Sequence, residues 1–242
     1  MTKLLVLTGR EWRAHAYAPG TWILLGLAWF WIAAMYCWQV LPTTGHGDLQ
    51  YMLWQVSLHT ANLQILFVPM LTMRTIAEER RTGTLEMLAT APIRDHEIIL
   101  AKFLGALAVA GIMTLIVPFL LVLAVFAGGE PDWGPVLSAS IALLGTAAVL
   151  TALGVLASSL THNQLLAGFL GLILSFGFMY LPRVVPADWE TLQEVVASGD
   201  LLQQVEESAR GLIDLTNISF QLGMTALFLF FATRSLETRK WI

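Results

Sequence analysis

Six long apolar runs alternate with short polar stretches along the chain: Thr21 to Leu41, Tyr51 to Met73, Ile98 to Phe126, Pro135 to Leu160, Leu165 to Leu181 and Leu215 to Thr233. A bilayer core of about 30 Å takes roughly 20 helical residues to cross, and hydrocarbon forbids unpaired backbone groups. The pattern therefore predicts an all-α integral membrane protein with six transmembrane helices, read as one transmembrane domain over residues 1–242. Before the first run, "KLLVLTGREWRAHAYAPG" sets Leu4, Leu5, Leu7, Trp12 and Ala16 among basic residues. That is the pattern of an interfacial helix over residues 1–20, stopped by Pro19 and Gly20. The first run starts too late and runs too long for a cleaved signal peptide, so it is expected to stay attached.

Two polar stretches carry patterns of their own. "AEERRTGTLEMLATAPI" holds Glu78, Glu79, Arg80, Arg81 and Glu86 between the second and third runs. Each charge at the bilayer centre costs about 2.5–3.5 kcal/mol on insertion scales, so these residues belong outside the hydrocarbon. Thr82, Gly83 and Thr84 interrupt one helix, Leu85, Leu88 and Ala89 then recur at helical spacing, and Pro92 ends the pattern. Mixed charges, a glycine break and an apolar stripe within 74–97 suit a surface that docks on a soluble partner. Between the last two runs, Leu192, Val195, Val196, Leu201, Leu202, Val205 and Leu212 are spaced among acids, which predicts short helices over 182–214.

Composition agrees, with 57% hydrophobic and 12% charged residues, and the net charge of −4 argues against nucleic acid as a partner. The single cysteine, Cys37, excludes an internal disulfide and is expected to pack. Charge position orients the spans. Lys3, Arg10 and Arg13 precede the first run, Arg74, Arg80, Arg81, Arg94 and Lys102 flank the second and third, and Arg234, Arg239 and Lys240 follow the sixth. By the positive-inside rule both termini are cytoplasmic, and Asp48, Glu130, Asp132 and the acidic stretch 182–214 face outward.

Chemistry is sparse. None of the three lysines follows a glycine-rich phosphate loop, so neither ATP hydrolysis nor a cofactor is expected on this chain. The histidines at 15, 46, 59, 96 and 162 lack metal-ligand spacing, and no G-x-S-x-G surrounds Ser158 or Ser159. Deep in the runs His59 is the titratable residue, with Asn62 and Gln64 nearby, and it reads first as an interhelical hydrogen-bond partner. Trp29 and Trp31 form an aromatic wall candidate; with His59 and Asn62 they are the candidate translocation path. Ala106 and Ala110, then Ala148, Ala152, Gly154 and Ser158, then Ala167 and Gly171 give small-residue packing stripes, and Pro118 marks a kink in the third run.

The string "AEERRTGTLEMLATAPIRDHEIILAKFLGA" resembles the segment after the second span in ABC-2 type permease subunits, six-span exporters driven by separate ATPase subunits. "GREWRAHAYAPGTW", "PDWGPVLSASIALLG", "GVLASSLTHNQLLAG" and "ARGLIDLTNISF" followed by "ATRSLETRKW" extend the likeness, which is strongest to the gliding-motility-associated permease subfamily. The resemblance implies that Glu78 to Leu88 forms a coupling helix contacting the ATPase through Glu78, Glu79, Arg80, Arg81, Thr82, Gly83, Thr84, Leu85, Glu86 and Leu88. It makes Thr161, His162 and Asn163 a second candidate contact. It also implies ATP and Mg on a cytoplasmic ABC ATPase, a second permease subunit as homo- or heterodimer, and short outer helices that cap the path and could receive an auxiliary membrane protein. The setting it implies is a bacterial inner membrane. The chain departs from the family pattern at Ala77, where serine is usual, and at His162, where glutamate is usual.

Overall fold

The computed structural model describes residues 2–40, 49–83, 94–126, 128–184 and 199–238. Among these residues every regular element is helical: α1 (Thr2–Tyr17), α2 (Pro19–Met35) continued by a π turn at Tyr36–Val40, α3 (Leu49–Thr72), α4 (Ala77–Arg81), α5 (Asp95–Thr114), α6 (Ile116–Phe126), α7 (Trp133–Leu160), α8 (Gln164–Val184), α9 (Leu201–Ala209) and α10 (Leu215–Thr238). Six stretches are long and apolar enough to cross a membrane: Pro19–Trp38, Leu49–Arg81, Asp95–Phe126, Trp133–Leu160, Gln164–Val184 and Leu215–Thr238. These are spans 1 to 6. An even number of crossings returns α1 and the end of α10 to one face, called here the terminal face.

Side-chain caps set several helix starts. The Asp132 carboxylate accepts from the Gly134 N–H at 2.9 Å, and Asn163 Oδ1 accepts from Leu165 N–H at 2.9 Å to open α8. Asp200 accepts from Leu202 and Gln203 N–H groups, and Asp214 from Thr216 N–H at 2.8 Å. Each acceptor satisfies an amide that the first helical turn leaves unpaired. Backbone hydrogen bonding from Thr216 holds the Asp214 carboxyl below the usual carboxylate range.

Proline and threonine set the interruptions. Span 3 breaks at Leu115 because Pro118 has no N–H to return to Thr114, which matches the kink expected from the sequence. Span 2 bends where Pro69 sits inside α3 and the hydroxyls of Thr72 and Thr75 donate to the carbonyls of Val68 and Thr72. After a turn at 73–76 the same span resumes as α4. The apolar run alone ends this span at Met73, but the helix continues eight residues further, to Arg81. Pro19 likewise opens α2 at its first turn instead of ending α1, which stops at Tyr17.

Span 4 is the axis of the bundle, with 67% of an 18-residue apolar stretch buried against 17% for the corresponding stretches of spans 1 and 6. It packs on spans 2, 3, 5 and 6 and on α9. Glycines permit that proximity: a Cβ at Gly154 would fall on the Thr72 hydroxyl of span 2, and a Cβ at Gly171 of span 5 would stand 3.3 Å from Pro69 Cβ. A polar seam crosses the same core. Gln64 of span 2 donates to the Leu143 carbonyl at 3.3 Å, while Gln221 of span 6 donates to the Ala142 carbonyl and to Gln204 of α9.

Helix α9 closes the face opposite the termini. Its buried Leu201, Leu202 and Val205 enter the bundle, the Ser138 hydroxyl donates to the Ser208 carbonyl, and Gln50 donates to the Ala209 carbonyl at 2.6 Å. Arg183 reaches from span 5 to Asp200 at 2.9 Å. Leu212, expected on this apolar face, is exposed, and Leu192, Val195 and Val196 lie outside the described residues. Cys37 is also exposed, because it sits on the π turn of the sparsely buried span 1 instead of packing.

Candidate functional site

Helix α4, which opens the charged segment after α3, is tied in place in three ways. First, it is covalently continuous with span 2. Second, its open N-terminal amides are capped from span 4: Ser158 Oγ accepts from Ile76 N–H at 3.1 Å and Ala77 N–H at 3.0 Å, and donates to the Met73 carbonyl at 3.3 Å. That uses the donor and both lone pairs of a fully buried hydroxyl. The cap that neither Ile76 nor Ala77 carries is thus supplied 81 positions away.

The third tie is electrostatic. Lys102 of span 3, only 2% exposed at its side chain, lies 2.8 Å from Glu79 Oε2 and 3.5 Å from Glu11 Oε2. Arg10 completes the cluster at 2.9 Å from Glu11 and 3.2 Å from Glu79. Two cations and two carboxylates neutralise one another, as burial requires, and bind α1, α4 and α5 together. The hydrogen bond to Glu11 is the main cause that holds the Arg10 guanidinium above its usual pKa; burial opposes it and Glu79 adds to it. The close approach of α1 is permitted by Gly105, where a Cβ would stand 2.7 Å from that of Glu11.

The far end of α4 leads into an exposed turn. Gly83, at φ +72°, stops the helix in the left-handed conformation that glycine adopts without strain, and Gly83 N–H bonds the Arg80 carbonyl. Arg81, Thr82 and Gly83 are exposed. Thr84, Leu85, Glu86 and Leu88 lie outside the described residues.

The turn between spans 4 and 5 resolves into separate roles. Thr161 is buried and its hydroxyl accepts from Asn163 N–H at 3.1 Å, Asn163 caps α8, and His162 is exposed. The four path candidates do not form one wall. Trp29 stacks on Phe119 of span 3 at 5.6 Å, Trp31 is half exposed on span 1, and Asn62 of span 2 is held by the Tyr180 hydroxyl of span 5. His59 pairs with the Gln55 carbonyl of its own helix at 2.7 Å instead of bridging helices, so Nδ1 carries the proton. Asn62, Phe176 and Tyr180 border a hollow of about 200 Å³ between spans 2 and 5. Among the described residues no three His, Cys, Asp or Glu side chains converge as a metal set.

Glu11 and Lys102 escape sequence reading as site residues. Lys102 reads as one more basic residue near a span end, and Glu11 as part of an interfacial helix; their pairing spans 91 positions. An acid and a base at the borders of separate apolar runs are a signal for such pairing, but not for which pair forms.

Removal of the Ser158 hydroxyl by Ser158→Ala leaves two buried amides without their acceptor and should cost about 1–2 kcal/mol. Amide exchange at Ile76 and Ala77 should then accelerate about 5- to 30-fold while span 4 amides stay protected, and Ser158→Thr should restore slow exchange.

The fold is that of a multi-pass helical membrane protein, with six stretches among the described residues long and apolar enough to cross a membrane. Residues 59–241 match the family model described as ABC-2 family transporter protein. The chain belongs to that family, and membership implies a membrane setting and an ABC ATPase as partner. No curated protein matches it.

Proposed function

We propose that the chain is the permease subunit of an ATP-driven exporter, in which a separate ATPase holding ATP and Mg pushes α4 and the spans respond. The observation that carries this reading is the joint anchoring of α4 by the Glu79–Lys102 pair and the Ser158 cap. A segment so fixed at its base and exposed at Arg81 to Gly83 transmits a push to spans 2, 3 and 4 without absorbing it. Glu78, Arg80, Arg81, Thr82 and Gly83, continued by Thr84, Leu85, Glu86 and Leu88, are the proposed contact surface, with His162 as the exposed member of the second one. Glu79 acts in this reading as a tether, not a contact.

The basic terminal face is taken as cytoplasmic, which places both termini there and α9 outside, in a bacterial inner membrane. A second permease, identical or related, completes the transporter. Of the path candidates Asn62 has the best support, since it borders the hollow between spans 2 and 5; Trp29, Trp31 and His59 contribute only along neighbouring seams. The quoted sequence stretches favour the gliding-motility-associated subfamily.

A second reading is supported by α9. Span 2 carries α4 at one end and the Gln50–Ala209 bond at the other, and span 4 carries Ser158 at one end and the Ser138–Ser208 bond at the other. Such a pair of rods suits relay of motion to an auxiliary outer protein without passage of cargo. Vesicles that hydrolyse ATP and activate an outer partner while moving no cargo would select it.

Affinity purification from native membranes tests the main reading. An ABC ATPase should co-purify with the wild-type chain and be depleted by Arg81→Glu, which reverses charge at an exposed position. Recovery of the intact chain with no ATPase would refute it.

A further inference from the structure

Between the α1–α2 elbow and the lower end of span 2 lies a cleft of about 410 Å³. Its polar wall holds Glu11, His15, Arg74, Glu78, Glu79 and Lys102. Glu11, Glu79 and Lys102 already neutralise one another with Arg10. Arg74 and Glu78 have no ion pair among the described residues. Burial lowers the pKa of His15, Glu11 opposes the shift, and Lys102 and Arg74 add to it, so its neutral form is favoured. The cleft therefore offers one unpaired cation and one unpaired carboxylate.

Its other wall is apolar. Leu24, Met70 and Leu71 line the cleft, and Thr21, Leu24 and Leu71 also border a narrow slot that continues between α2, α3 and α5 past Ala28, Val68 and Met113. A charged chamber at the level where spans leave the hydrocarbon thus opens on an apolar seam within it. That sequence of surfaces matches an amphiphile with a zwitterionic head.

We propose that the cleft seats a phospholipid of the terminal-face leaflet whose head carries a phosphate and a primary ammonium. The phosphate pairs with Arg74 and the ammonium with Glu78, while one acyl chain lies along the seam. A purely anionic head leaves Glu78 unpaired beside two further carboxylates. A quaternary ammonium donates no hydrogen bond to Glu78, and among the described residues no Phe, Tyr or Trp lines the cleft to replace it by a cation–π contact. The cleft shares Glu78 with the proposed ATPase contact surface, so lipid retention is read on the purified chain alone, where its failure is distinguishable from a failure of ATPase co-purification.

Native mass spectrometry of the purified chain tests this with an equimolar mixture of phosphatidylethanolamine, phosphatidylcholine and phosphatidylglycerol bearing identical chains. Phosphatidylethanolamine should survive on the wild-type protein at collision energies that strip the other two, with retention higher by on the order of tenfold, as one charge-assisted hydrogen bond gives. Glu78→Gln should erase the preference for phosphatidylethanolamine over phosphatidylcholine. Arg74→Gln, at an exposed position, should weaken all three, and Leu24→Phe should do the same by filling the seam. Equal retention of the three lipids by the wild type, or a preference for phosphatidylglycerol, would overturn the proposal, as would an unchanged preference in Glu78→Gln.

Discussion

Lys102→Met will destabilise the protein by about 3 kcal/mol, the low end for breaking a buried ion pair by removal of one partner. The side chain is 2% exposed, and Glu79 and Glu11, at 19% and 10%, are left facing each other with Arg10 as their remaining cation. Arg10, half in solvent, supports both carboxylates less well than the buried ammonium does. The double variant Lys102→Met with Glu79→Gln should be more stable than Lys102→Met alone, because a neutral amide needs no counter-ion. Thermal unfolding in detergent measures both, and an additive pair of losses would show that the two side chains do not interact. In the assembled transporter either single variant should also lower stimulated ATPase activity, since α4 loses its tie to span 3.

Gly154→Leu will prevent assembly of the bundle, and Gly154→Ala will cost about 1–3 kcal/mol, the range for overpacking a filled core. Even one methyl group at Gly154 overlaps the Thr72 hydroxyl and stands 2.9 Å from the Thr72 Cβ, with span 5 also close at Gly171. Thr72→Ala should relieve part of the Gly154→Ala loss by removing the hydroxyl, but not all of it because the Cβ remains. Unfolding midpoints of the three variants decide this. A Gly154→Ala protein as stable as wild type would show that spans 2 and 4 are not in such close contact.

The six spans were legible because hydrocarbon leaves helix as the one solution for a single apolar run of that length. Gly83 as the end of a helix was legible from the turn chemistry alone, and so were the small residues of span 4. The extension of span 2 through α4 was not, since Glu78 to Arg81 remove the apolar signal while preserving helix-forming residues. Tertiary partners explain the other misses. Ser158 reads as a small packing residue until Ile76 and Ala77 are seen to lack a cap of their own, and the capping of α8 by Asn163 is a role that its reading as a candidate contact did not include. Lys102 was counted for orientation, where its charge is as informative as that of any neighbouring arginine, but its partner Glu11 is 91 positions away and no local pattern joins them. Span 1 was legible only in part: Trp29 and Trp31 read as one aromatic wall, yet Trp29 meets Phe119 of span 3 while Trp31 is half exposed.

Photo-crosslinking tests the central claim most directly. A benzophenone amino acid at Arg81, in the complex purified from native membranes, should capture the ATPase subunit, and the same probe at Leu212 on the opposite face should not. Capture at Leu212 with none at Arg81 would contradict the account, because α4 would then be an anchored segment that no ATPase touches.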